Sequence, residues 1–169
     1  ELNKLCNSPP RSPYPSGADI GPYKIDWLTA LGRGSYGIVY KGTNLETNGS
    51  IAIKRTKPPA DLMQKIIDEI QIMKTLNNPG HVNIIKYIAD YEQDLDGGKT
   101  GRSQIFIVTE LCTKGTLEEY AKMFTLKKEH IFHISRQLAG ALSYLHNLKP
   151  HHIVHRDVKP ENILITYEN

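Results

Sequence analysis

The stretch LGRGSYGIVY, Leu31 to Tyr40, carries glycines at positions 32, 34 and 37, and what surrounds them decides how the chain folds. The spacing G-x-G-x-x-G alone is weak, since roughly one chain in twenty of this length would hold it by chance at about 7% glycine usage. A dinucleotide-binding turn needs a helix directly after it and an acidic residue about 20 positions on. Here Ile38, Val39 and Tyr40 are β-branched or aromatic and suit a strand. Lys54, Arg55 and Lys57 stand where the acid would fall. The stretch is therefore predicted to be the tip of a hairpin, with backbone N–H groups available to an anion.

Outward from the tip, strands are predicted over Tyr23 to Leu31, Ile38 to Asn44 and Ser50 to Arg55, forming a meander. Asn48-Gly49-Ser50 matches a glycosylation sequon, but between two strand-like runs it reads as a hairpin turn. Asp61 to Leu76 changes to helical spacing, and Val82 to Tyr91 and Gln104 to Leu111 return to β-type runs. Gly98-Lys99-Thr100 imitates the end of a P-loop, but the partner glycine's place is Gln93. Thr116 with Glu119 forms a capping box, and Ile131, Ile134, Leu138, Leu142 and Leu145 mark a helix ending near His146. Residues 1 to 22, with SPPRSPYPSG, lack the large aliphatic residues needed for a core and are expected to be a disordered tail. Ser8-Pro9 and Ser12-Pro13 within it are read as linker.

The 169 residues are 39% apolar with a net charge of +3, which suits a soluble chain with one core or two small ones. The basic residues are spread, so neither nucleic acid nor a membrane is expected as a partner. Cys6 and Cys112 lie far apart in the sequence, which fits a reducing compartment, the cytoplasm or nucleus. The seven histidines, including His151, His152 and His155, lack a framework of ligand spacing. No metal site is read from them, and His155 is taken as a packed, hydrogen-bonded loop residue.

In Ile51-Ala52-Ile53-Lys54, alternation places Ala52 and Lys54 on one face of a strand. The alanine leaves room for a flat ring, and the ammonium is a point-charge binder of phosphate. Stepping from Leu62 through Ile66, Glu69, Met73 and Leu76 puts Glu69 inside the apolar stripe of the helix. A buried carboxylate needs a partner, and Lys54 on the preceding strand is the candidate. The two are expected to form an ion pair.

The most specific segment is IVHRDVKPENILI, residues 153 to 165. His155, Arg156, Asp157, Lys159 and Asn162 at fixed offsets arise by chance in roughly one chain in ten thousand, at about 5% usage per residue type. With Gly32, Gly34, Gly37 and Val39, then Ala52 and Lys54, then Glu69, all in order, residues 23 to 169 resemble eukaryotic protein kinases. The resemblance implies an α+β, two-lobed protein-kinase-like fold: an N-lobe of antiparallel sheet plus one helix over about 23–109, a hinge over about 110–115, and the first part of a helical C-lobe over 116–169.

It further implies ATP and Mg²⁺ as cofactors and a protein serine or threonine hydroxyl as acceptor. The flap of Gly32, Gly34 and Gly37 would close over the ATP phosphates, with Tyr36 at its tip, while Leu31, Val39 and Ala52 would also bind the cofactor. Lys54 would hold the phosphates, and Glu69 would hold Lys54. Thr109 would take the gatekeeper place, the Glu110 carbonyl and Cys112 amide would meet the adenine edge, and Thr116 would lie near the ribose. Asp157 would accept or orient the proton of the acceptor hydroxyl, Lys159 would steady the γ-phosphate, and Asn162 would be the metal ligand. Asp157-x-Lys159-Pro160-Glu161-Asn162 resembles the serine/threonine type.

The family's second metal ligand, in Asp-Phe-Gly, comes on the order of a dozen residues after that asparagine, and only seven residues follow Asn162. The chain is thus expected to be the N-terminal part of a kinase domain, inactive by itself. The exposed stripe of its longer helix would favour association. A non-catalytic nucleotide-binding or regulatory protein, and a docking module using the proline-rich tail, are the alternatives.

Overall fold

A computed structural model of the protein describes residues 19–34, 37–97, 102–150 and 152–166. The tail over residues 1–18, Tyr36 at the flap tip, Gly98-Lys99-Thr100 and His151 lie outside the described residues. Among the described residues are six strands and three α-helices: β1 (Asp19–Ile20), β2 (Tyr23–Gly34), β3 (Gly37–Asn44), β4 (Ser50–Thr56), α1 (Met63–Leu76), β5 (Tyr87–Asp94), β6 (Ser103–Glu110), α2 (Leu117–Met123) and α3 (Lys128–Asn147). The strands make one sheet in the order β1-β2-β3-β4-β6-β5. The chain divides into two compact units, one from its start through Ile70 with Ile88–Leu111, the other from Gln71–Tyr87 with the chain from Cys112 onward.

In the first unit, alternation along the strands sends Tyr40, Ile51, Ile53, Phe106 and Val108 to one face, where they form a core with Ile20, Tyr23 and Ile25. Ile53 and Val108 are wholly inaccessible to water. The hairpin β3–β4 turns at the predicted place, with Asn48 at φ 56°. The turn is longer than Asn-Gly alone: Asn44 caps it, its Oδ1 accepting from Glu46 N at 2.9 Å and its N–H donating to Gly49 O at 2.9 Å.

Two expectations are corrected. Asp19–Ile20, assigned from sequence to the tail, pairs with Lys24 and Tyr23 as a short edge strand. Gly21, at φ 56°, provides the turn, and Ile20 gains burial on the core. The run from Val82 becomes a strand only at Tyr87. His81 holds a turn there, its carbonyl accepting from Ile84 N at 2.9 Å and its Nδ1 from Asn83 N at 3.1 Å. The Asn77 side chain then satisfies both backbone groups of Tyr87, at 2.6 and 3.1 Å. Val82 is left 94% exposed.

In the second unit the capping box of Thr116 and Glu119 starts α2 as predicted. The longer helix, α3, buries Ala141 and Leu145, while Ile131 and Phe132 near its start are exposed. The predicted stripe is therefore half used among the described residues.

Candidate active site

The sheet lines up the first group of residues through its register. Gly32 lies opposite Val39, Val39 opposite Lys54, and Lys54 opposite Ile107; in a neighbouring row Lys41, Ala52 and Thr109 are opposed. Directly opposed residues share a face, so Gly32, Val39, Ala52, Lys54 and Thr109 stand together on the side away from the Tyr40–Ile53–Val108 core. Ala52 and Lys54 thus share a face, as strand alternation requires.

Lys54 Nζ lies 3.0 Å from Glu69 Oε1, the expected pair. Its setting differs from expectation: the side chains are 29% and 44% exposed. The residues that α1 buries are Ile66 and Ile70, which puts Glu69 at the margin of the apolar stripe rather than its middle. A pair so open to water contributes on the order of 1 kcal/mol or less to stability. Its effect is positional: it holds the ammonium on the glycine-bearing face of the sheet.

The three glycines are not equivalent. Gly37 has φ +146°, and a Cβ there would overlap the carbonyl oxygen of Arg55, so the fold itself requires glycine. At Gly32 and Gly34 a Cβ would meet nothing within 4 Å. Among the described residues no packing neighbour demands their missing side chains.

At the end of β6, the Thr109 hydroxyl donates to the Glu110 carbonyl at 3.2 Å. Cys112, half-buried, follows two residues later. Thr116, placed near a ribose by resemblance, has its hydroxyl engaged by Glu119 N at 3.1 Å as a helix cap.

The second unit assembles the loop residues around one carboxylate. Asp157 Oδ1 lies 3.0 Å from Lys159 Nζ. The Asn162 amide nitrogen donates to Asp157 Oδ2 at 2.7 Å and to the Asp157 carbonyl at 2.9 Å. Because that nitrogen makes both bonds, the amide oxygen is left as a hard ligand for a cation such as Mg²⁺. A 3-10 turn over Pro160–Asn162, closed by Asn162 N on Lys159 O at 2.9 Å, brings the asparagine back towards the aspartate. The same loop is tied to the entry of α2 by Leu117 N on Ile163 O at 2.7 Å, Lys114 N on Ile165 O at 3.0 Å and a β-bridge between Thr116 and Leu164.

Two features of the loop escape sequence inspection. Arg156 adopts φ 63°, a left-handed conformation costing roughly 1–2 kcal/mol for an L-residue; no glycine or asparagine announced it. His155 is exposed rather than packed, although its Nδ1 does accept from Asp157 N at 3.3 Å.

Hydrogen bonds from Lys159, and then Asn162, hold the Asp157 carboxyl below its ordinary 3.8, and Asp157 holds the Lys159 ammonium above its ordinary 10.5. The signs follow from linkage. The stabilisation at Asp157 is present above pH 3.8 and lost as pH falls through the depressed value. That at Lys159 is present below pH 10.5 and lost as pH rises through the elevated one. Between these limits both groups stay charged, so the carboxylate is a weak base suited to orienting a hydroxyl. Lys159→Met is expected to bring the Asp157 carboxyl back towards 3.8 in an NMR titration; an unmoved midpoint would refute the assigned cause.

The chain was also compared with models of known families. The one described as protein kinase domain matches residues 26–169, which take in the sheet from within β2 onward, the helices and the Asp157 loop. That span is most of the sequence, and the chain belongs to the protein kinase domain family.

Proposed function

We propose that this chain serves ATP-dependent phosphoryl transfer to serine or threonine hydroxyls of proteins. The observation carrying the proposal is the Asp157 carboxylate gripped at once by Lys159 and Asn162. A carboxylate, an ammonium and a free amide oxygen so arranged supply an acceptor for a hydroxyl proton, a cation for a transferring phosphoryl group and a metal ligand.

The residues present fit the cofactors. The open space at Gly32 and Gly34, the ammonium of Lys54 steadied by Glu69, and the small Ala52 suit a nucleoside triphosphate. Leu31 and Val39 would contact the base, and the Glu110 carbonyl and Cys112 amide would fix its edge. Bound Mg-ATP supplies the activated phosphoryl group and the metal charge that offsets the developing negative charge. The serine/threonine assignment rests on Lys159, two residues after Asp157, as in that type of kinase.

Trp27 is the single tryptophan and lies edge-on to Tyr40 at 5.1 Å, with the Arg55 guanidinium 5.3 Å from its ring. Ordering of β2 around a nucleotide is expected to change its fluorescence. Mg-ATP should give a saturable change, and Lys54→Met should weaken the apparent affinity by about tenfold or more. No binding by fluorescence and no heat by calorimetry would sink the proposal. Binding without transfer of phosphate to any protein hydroxyl would favour the non-catalytic alternative, and phosphate found on tyrosine alone would overturn the acceptor assignment.

A further inference from the structure

We infer that a groove in the first unit, away from Lys54 and the glycines at 32 and 34, is a docking site for an acidic protein segment carrying an apolar side chain. The groove runs between the start of β3, the end of β4 and the first turn of α1. Where the chain leaves β4 it reads Lys57-Pro58-Pro59. Two successive residues without an N–H cannot continue the strand pairing, so β4, paired on both sides, stops at Thr56 and the chain turns away there.

The floor is apolar, made by Ile38, Leu62 and Ile66, and the rim carries Arg55, Lys57 and Lys65. No carboxylate is among the described residues lining it. The nearest acids are Asp61, exposed on the short turn before α1, and Asp68, engaged by Gln64 at 2.8 Å, and neither lines the groove. Neither Lys57 nor Lys65 is among the described residues that form ion pairs. Arg55 is fixed in advance: its Nε donates to Gln104 Oε1 at 2.8 Å and its guanidinium carbon lies 5.3 Å from the centre of the Trp27 ring.

Three like charges around an apolar floor repel one another, and an anionic occupant relieves that repulsion. A free inorganic anion would leave the floor unused. A peptide with carboxylates on either side of an aromatic or aliphatic residue satisfies rim and floor together, and this charge complementarity selects the occupant.

The test is fluorescence anisotropy of a short fluorescein-labelled peptide, glutamates around one phenylalanine, titrated with the full chain. Saturable binding is expected, weakened by about tenfold or more in the Lys57→Glu/Lys65→Glu variant. The same loss is expected when the peptide's phenylalanine is changed to serine, and no loss in Lys128→Glu, a charge change on α3. Both groove lysines are exposed, so the variant should melt as the parent does; Lys57→Gln/Lys65→Gln, with an intermediate loss, covers the case in which charge reversal disturbs folding. The Mg-ATP response of Trp27 should persist in these variants, which separates failure here from failure of the nucleotide proposal. The inference is overturned if the peptide does not bind, if it binds the glutamate variant equally, if an all-glutamate peptide binds as well, or if the lysine changes alter self-association instead of peptide binding.

Discussion

Replacing Asp157 by asparagine is expected, on the proposed function, to lower phosphoryl transfer by about 10²–10⁴-fold, with the loss falling in kcat rather than KM. The amide keeps the size of the carboxylate, so the fold of the loop is preserved. Its charge is lost, and with it the ion pair to Lys159 at 3.0 Å. An amide accepts a proton from a hydroxyl far less readily, and the lysine, no longer tethered, loses its fixed direction. Because Asp157 is exposed, little stability should change with it. Steady-state kinetics check the claim, and a kcat within about threefold of the parent's would remove Asp157 from the mechanism.

The second large effect separates a glycine required by the fold from glycines that leave space. Gly37→Ala is expected to destabilise the sheet by about 3 kcal/mol or more, since the substitution combines a disfavoured φ with overlap on the backbone of β4. Gly32→Ala, with nothing within 4 Å of the added carbon, should change stability by less than about 0.5 kcal/mol. If phosphates occupy that space, Gly32→Ala should nonetheless weaken Mg-ATP by about tenfold, or 1.4 kcal/mol. Chemical denaturation and calorimetric titration of the two variants measure the pair of effects. Equal melting of both would show that Gly37 is not held as described; unchanged nucleotide affinity in Gly32→Ala would place the ligand elsewhere.

This contrast marks how far the letters could be read. Residue spacing identifies all three glycines but cannot rank them, because the demand at Gly37 comes from Arg55, far along the chain and brought near by strand pairing. The Lys54–Glu69 pair was legible because two short-range periodicities, of strand and helix, converge on it. Its exposure was not, since which side of α1 is covered depends on what packs there, and Ile70 proved as buried as Ile66. The β-branched run after His81 misled for a related reason: a histidine side chain and Asn77 supplied backbone partners that composition does not reveal. The family and the general fold rested on long, strongly patterned segments, and those stand.

The three backbone links between residues 114–117 and 163–165 make the strap before α2 and the tail of the Asp157 loop a single mechanical part. A push on α2 would be passed to Asn162 with little slack, as through a rod instead of a string. Whatever touches that short helix thereby has leverage over where the Asn162 amide comes to rest.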